Sequence, residues 1–360
     1  MVPLRRTRPK TPQAPRPGSL SIGRRSPRGA LLGIAAALLL SCGVPPRALE
    51  WPPTGAEARP WAYWWWMGSA VTREDLTQVL ETYRDAGLGG VHVIPIYGVR
   101  GQEELFIPFL SEEWMEMLAH TVAEGNRLGL GVDATAGTGW NFGGPHVARE
   151  DAASRLALKS YDLAGGERLS LSVEHRGKTG PSRLAALVAY AEDGTIEDLT
   201  ARVDEEGLLN WTAPAGTWRL HALFDERFGQ EVERAAPGGQ GYLLDFLSEP
   251  ALDRYLARFD EAFAPRPGLA VRAFYNDSFE IPDLNWTDTF FEEFEERRGY
   301  DLRRHLPALA GEAGEDETAR VKSDFRETIS DLLLERFVRP WMKWCHDRGS
   351  VARNEAHGMP

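Results

Sequence analysis

Cysteine is almost missing from this chain. Of 360 residues two are cysteine, Cys42 and Cys345. Cys345 alone lies in the body of the chain, and one cysteine cannot close an internal disulfide. The fold must therefore stand on its apolar core. No C-x-x-C or H-x-x-x-H spacing occurs, which argues against a zinc site. No EF-hand loop is present either. No G-x-G-x-x-G joins a strand to a helix, so a nucleotide cofactor loses its main support. Long hydrophobic runs are also missing. The apolar stretch ALLGIAAALLLSC (30–42) is too short for a comfortable membrane span.

Acid is absent from the first 29 residues, which carry eight Arg and Lys. This basic segment followed by the apolar run has the layout of a secretory signal. Leu39-Leu40-Ser41-Cys42-Gly43 resembles the bacterial lipobox, whose cysteine is lipidated and becomes the new N-terminus. A plain signal with a chance cysteine is the alternative. The expectation is an exported protein of the bacterial cell envelope, periplasmic or surface-exposed, touching the membrane only through a lipid on Cys42. Losing residues 1–42 would take the formal charge from −12 to −20. Such an acidic chain is a poor partner for nucleic acid and suits neutral substrates.

What is present is an ordinary globular composition, 42% hydrophobic and 26% charged, with strands and helices in alternation. Residues 43–60 are a Pro-rich tether. WAYWWWMG (61–68), 89–98 and 130–140 are predicted strands. Residues 72–87 and 111–129 are predicted helices, capped by Thr72 and Ser111. Residues 157–227 change to short alternating runs between turns, an antiparallel β insertion. Helices follow at 248–263 with Ser248 as cap, at 285–301 with Thr287 as cap, and at 323–348 with a kink at Pro340. Strands are expected at 269–274 and 350–358. The resulting divisions are 1–42, 43–60, 61–156 (first part of a catalytic barrel), 157–227 and 228–360 (its continuation).

Alternation of this kind means a parallel sheet with helical crossovers. An open doubly wound sheet and a (β/α)8 barrel of TIM type compete. The barrel is favoured because polar groups gather where strands end: His92, Asp133, Trp140, Asn141, Asn276, Asp277, Glu280, Glu355 and His357. About five strands are countable, so the expected barrel is incomplete, truncated at the C-terminus.

The stretch YNDSFE (275–280) ends an apolar strand in an amide, two carboxylates and a hydroxyl. Adjacent carboxylates suit general acid–base work, one protonating a leaving oxygen and one activating water. The alternative is a turn capped by Asp277 with Glu280 in solvent. Glu355 and His357 end the last strand and could be no more than a strand edge. Trp64 and Trp140 offer faces on which sugar rings stack, or they are core. His92 is more simply a core histidine. Asp133, Asn141, Asn276 and Asp277 could hold sugar hydroxyls.

At these residues the chain resembles glycoside hydrolase family 106, the α-L-rhamnosidases. The match runs through PWAYWWWMG, LSEEWMEMLAHTVAEGNRLGLGVDATAGTGWNFGGP, RAAPGGQGYLLDFLSEPAL and YNDSFE with NWTDTFFEEFEERRGYDLRRHLPAL, covering roughly 60–360. It implies a barrel with β-rich accessory parts and an inverting hydrolase of terminal α-L-rhamnosyl linkages in plant-type glycans. It also implies a calcium ion at the sugar and a pair of catalytic glutamates. Glu280 matches the strand-end glutamate of that block, and Glu355 is the next candidate. Related deoxy sugars are further substrates the resemblance allows. A glycan-binding surface lipoprotein without catalysis, or an inactive fragment, is the alternative reading.

Overall fold

Strands and helices alternate as expected from Trp61 onward, most of them shorter than their sequence runs, while the last helical stretch begins at Glu315, eight residues before its expected start. The computed structural model describes residues 51–281 and 283–355. Cys42, His357 and the segment 1–50 lie outside the described residues. In chain order the strands longer than two residues are β1 (Trp61–Met67), β2 (Gly90–Ile96), β3 (Gly131–Thr135), β4 (Ser154–Ala164), β5 (Arg183–Ala191), β6 (Ile196–Asp198), β7 (Thr217–Arg227), β8 (Ala273–Asn276) and β9 (Val351–Asn354). The α-helices are α1 (Arg73–Asp85), α2 (Glu112–Leu128), α3 (Glu249–Phe263), α4 (Phe290–Arg298), α5 (Leu306–Ala310), α6 (Glu315–Leu332) and α7 (Arg339–Asp347).

Three helix starts follow the capping chemistry read from sequence. Thr72 Oγ1 accepts from Asp75 N at 3.1 Å, Ser111 Oγ from Trp114 N at 3.2 Å, and Ser248 Oγ from Ala251 N at 3.4 Å. Each satisfies a backbone donor that the first helical turn leaves free. The expected Thr287 cap does not form. Its hydroxyl donates to buried Asp245 Oδ2 at 2.8 Å, and α4 starts three residues later at Phe290. The strand expected at 269–274 also starts late, because Leu269 N still closes a turn on the Arg266 carbonyl. The long last helix is interrupted at Leu333–Val338 by a π-helical segment. Pro340 follows it and has no N–H to give to the preceding turn, so the ladder loosens there.

β1, β2, β3, β8 and β9 form a parallel sheet in that order. The sheet is open among the described residues. The expected barrel is thus not seen as a closed structure, since closure of that type takes eight strands. The two faces of this sheet differ. On one, Trp64 meets Tyr83 of α1 at 6.0 Å, and Trp66 meets Trp114 of α2 at 5.8 Å. Phe274 packs between Phe263 of α3 and Trp344 of α7 on the same side. The residues of opposite parity make the other face.

The insertion is a four-stranded antiparallel sheet of order β4-β7-β5-β6. One face has its own apolar cluster, with Trp211 edge-on to Trp218 at 5.2 Å. The other face gives Ala186, Val188 and Leu223 to the main core. Ser154 Oγ donates to the Trp286 carbonyl at 3.1 Å, and Leu156 N donates to Asn285 Oδ1 at 2.7 Å. These bonds dock the insertion on the segment that leads into α4.

Candidate active site

Strand alternation decides which side chains meet. In β1 it sends Tyr63, Trp65 and Met67 away from the helices. In parallel register Tyr63 lies opposite His92, and His92 opposite Asp133. Tyr275 of β8 joins them. Its ring centroid lies 4.5 Å from His92 and 6.5 Å from Tyr63. Tyr63 and Trp65 are 59% and 57% exposed, so the aromatic wall they begin is open to a ligand.

His92 is buried. Its Nε2 lies 3.0 Å from Thr135 Oγ1, and burial, then Arg353, lower its pKa to about 3. It is a neutral wall residue and not an acid near neutral pH. Asp133 is fully buried, and its Oδ2 accepts from Arg272 and from Arg353, each at 2.5 Å. That pairing is what a buried carboxylate requires. Asp133 Oδ1 is buried without a partner. The Arg353 guanidinium in turn lies 5.4 Å from the Tyr275 ring centre.

The acids gather where β8 and β9 end. Tyr275 Oη donates to Glu355 Oε2 at 2.7 Å. Burial and that carboxylate push the Tyr275 phenol well above its ordinary range, so it stays a donor. Asn276 Nδ2 donates to Asn354 Oδ1 at 2.6 Å, tying the two strand ends together, while its own Oδ1 is buried without a partner. Ser278 Oγ donates to Glu280 Oε1 at 2.7 Å, and Ser278 N to Asp277 Oδ1 at 2.8 Å. The Asp277 carboxyl is pushed up by burial and then by the charges of Glu355 and Glu280. Three carboxylates from two adjacent strands therefore share one site.

Trp140 and Asn141 stand on the loop after β3. Gly139 there has φ +56°, and a Cβ on it would come 1.9 Å from the Glu233 carbonyl, so glycine is required. Trp140 N bonds that carbonyl at 3.0 Å. Asn141 is buried in the left-handed region at φ 62°, with neither side-chain polar atom partnered. Trp64 is not brought to the site. It has the parity of Trp66 and packs on the helices.

The sequence reading missed Tyr63, Arg353 and Arg234. For Tyr63 a signal existed, since parallel register places it beside His92. No spacing rule would have paired Arg353 with Asp133 across the sheet. Among the described residues no three His, Cys, Asp or Glu side chains converge to hold a metal.

Comparison with known proteins adds to this geometry. The chain is 28% identical over 344 residues to a Formosa agariphila protein named "Putative beta-glucuronidase", covering 83% of this chain and 29% of that protein. Its fold is similar to that of a rhamnosidase from Novosphingobium sp. PP1Y, with a TM-score of 0.67 at 19% identity. That match covers 84% of this chain and 46% of the solved one. The chain thus spans less than half the length of either. The model of the α-L-rhamnosidase family, glycoside hydrolase family 106, matches residues 50–189 and 182–359, and the chain belongs to that family.

Proposed function

We propose that this protein hydrolyses a terminal α-L-rhamnosyl or related deoxy-sugar linkage in plant-type glycans, with inversion. The observation that carries this reading is the meeting of Asp277, Glu280 and Glu355 beside the open aromatic wall of Tyr63 and Trp65. Sugars have apolar C–H faces that stack on such rings, and their hydroxyls suit Asn and Asp. Glu280 acts as the general acid and gives its proton to the leaving glycosidic oxygen. Glu355 acts as the base. It accepts a hydrogen bond from Tyr275 Oη at 2.7 Å and takes a proton from the water that attacks the anomeric carbon. The bond to the leaving oxygen breaks as the bond to water forms, on opposite faces of the ring. This needs the two carboxyl groups about 6.5–9.5 Å apart. Asp277, whose pKa is raised by burial and then by the charges of Glu355 and Glu280, holds a sugar hydroxyl.

The order of the parallel sheet supports a barrel sector over a doubly wound sheet. It follows chain order without the reversal that a doubly wound sheet contains. Calcium, implied by the resemblance, remains part of the proposal; chelation with EDTA should lower activity, and indifference to EDTA removes it. Export and lipidation at Cys42 are proposed from the lipobox, and labelling with a radioactive fatty acid that Cys42→Ala leaves unchanged would overturn them.

The test is hydrolysis of nitrophenyl α-L-rhamnoside by the full chain, with the product anomer followed by proton NMR. Turnover giving the inverted anomer, lost in Glu280→Gln and Glu355→Gln, is the expected result. Binding without turnover would favour glycan binding, the reading that the exposed Tyr63 and Trp65 would serve equally well.

A further inference from the structure

We propose that Arg234 recognises a carboxylate on the sugar unit next to the one being cleaved, so that the substrate is a uronate-containing glycan. The inference rests on the reading of the pocket as a glycosidase site and adds the class of its aglycone.

Arg234 lies on the segment that returns from β7 to α3. Four residues before it, Gln230 Nε2 donates to the Glu280 carbonyl at 3.0 Å, so this segment starts at the catalytic loop. Four residues span at most about 14 Å of chain, the scale of a neighbouring sugar. At its far end the segment is fastened to the loops after β2 and β3. Tyr97 N donates to the Arg234 carbonyl at 3.2 Å, and Trp140 N donates to the Glu233 carbonyl at 3.0 Å.

The guanidinium is held without being neutralised. It lies 5.6 Å from the Tyr97 ring centre and 5.9 Å from that of Trp140. Nη1 also donates to Tyr97 Oη at 3.2 Å. Among the described residues no carboxylate comes within ion-pairing distance of it. The adjacent Glu233 is bound through its backbone only. This differs from Arg272 and Arg353, both committed to Asp133. Two aromatic rings fix a planar fork by cation–π contact and leave its remaining donors for a ligand. Carboxylate is the group that such a fork fits.

The backbone supports the same conclusion. Arg234 has φ 58°, the left-handed region that a long side chain rarely takes. Glycine would adopt it more readily, so the side chain is retained against local preference. Charge completes the argument. An anionic substrate approaching Asp277, Glu280 and Glu355 would be repelled, and a cation on the segment that Gln230 fastens to that loop offsets part of the repulsion.

The experiment is titration calorimetry of the full chain carrying Glu280→Gln, with a rhamnosyl-uronate disaccharide and with its uronate methyl ester. The acid should bind roughly tenfold or more tighter than the ester. Adding Arg234→Gly should remove that preference, and Arg234→Lys should keep part of it. The glycine variant relieves the positive φ, so its thermal midpoint should not fall, which separates lost recognition from lost fold. Equal binding of acid and ester, no binding of the acid, or a preference that survives Arg234→Gly overturns the proposal. Hydrolysis of the neutral nitrophenyl rhamnoside is scored separately with the native chain. Discrimination without turnover sinks the glycosidase reading alone, and turnover without discrimination sinks the role of Arg234 alone.

Discussion

The two faces of the parallel sheet are built from neighbouring residues of the same strands, yet they do opposite work. Trp66 is 1% exposed against the helices, and Trp65 beside it is 57% exposed on the other side. The helix face is apolar and fully packed, with Trp64, Trp66 and Phe274 in contact with α1, α2, α3 and α7. The open face carries Tyr63, His92, Tyr275, Asp133 and Arg353, joined by ring contacts and by the Asp133–Arg353 pair, while His92 Nδ1 and Asp133 Oδ1 are buried without partners. A strand thus spends one parity on stability and the other on a preorganised wall. The carboxylates Asp277, Glu280 and Glu355 lie past the strand ends. Residue type alone does not reveal the split, since tryptophan serves both faces.

The largest effect should come from the strand ends. Glu280→Gln and Glu355→Gln should each lower kcat about 10²–10⁴-fold with little change in thermal midpoint. A comparable loss from Trp64→Ala without destabilisation would erase the distinction between the faces. Next, Trp66→Ala should destabilise by about 3–5 kcal/mol in urea unfolding. Trp65→Ala should change stability by less than about 0.5 kcal/mol and raise KM instead. Reversed results would assign the faces the other way. Third, Asp133→Asn leaves two guanidinium groups without their carboxylate. Both are partly exposed, so the cost should be about 2–3 kcal/mol, below that for a wholly buried pair. The smallest effect concerns His92. Its folded pKa is lowered, so the unfolded chain takes up the proton first as pH falls through 6.5. Its stability contribution is therefore full above that value and lost progressively toward about pH 3. Urea midpoints measured at pH 7 and pH 5 should converge in His92→Gln relative to the native chain.

Much of this was legible in the sequence, for local reasons. Thr72, Ser111 and Ser248 cap helices because the side chain and its backbone donor are three residues apart. The place of YNDSFE at a strand end was legible because an apolar run stops there in polar residues, and β8 does end at Asn276. Non-local pairings were hidden. Thr287 looked like a cap until Asp245, distant in sequence, took its hydroxyl. The pairing of Asp133 with Arg272 and Arg353 runs across the sheet, and no local spacing reveals it. The tryptophan triplet shows the same limit. Its period assigns Trp64 and Trp66 to one side, but only the position of α1 and α2 says which side is buried.

The sheet order also sets a schedule for folding. β1, β2 and β3 are close in the chain and can pair as soon as α1 and α2 form. β8 cannot join them until the whole antiparallel sheet lies between, since Asp133 pairs with Ala273. Closing so long a loop costs entropy, and a compact intervening unit with its own Trp211–Trp218 cluster shortens the distance to be closed. We expect amide protection in β4, β5 and β7 to appear before protection in β8 during pulse-labelled refolding. Simultaneous protection would show that the insertion does not fold ahead of the site. In the expected order, the loop after β8 that carries Asp277 and Glu280 is among the last parts of this molecule to exist.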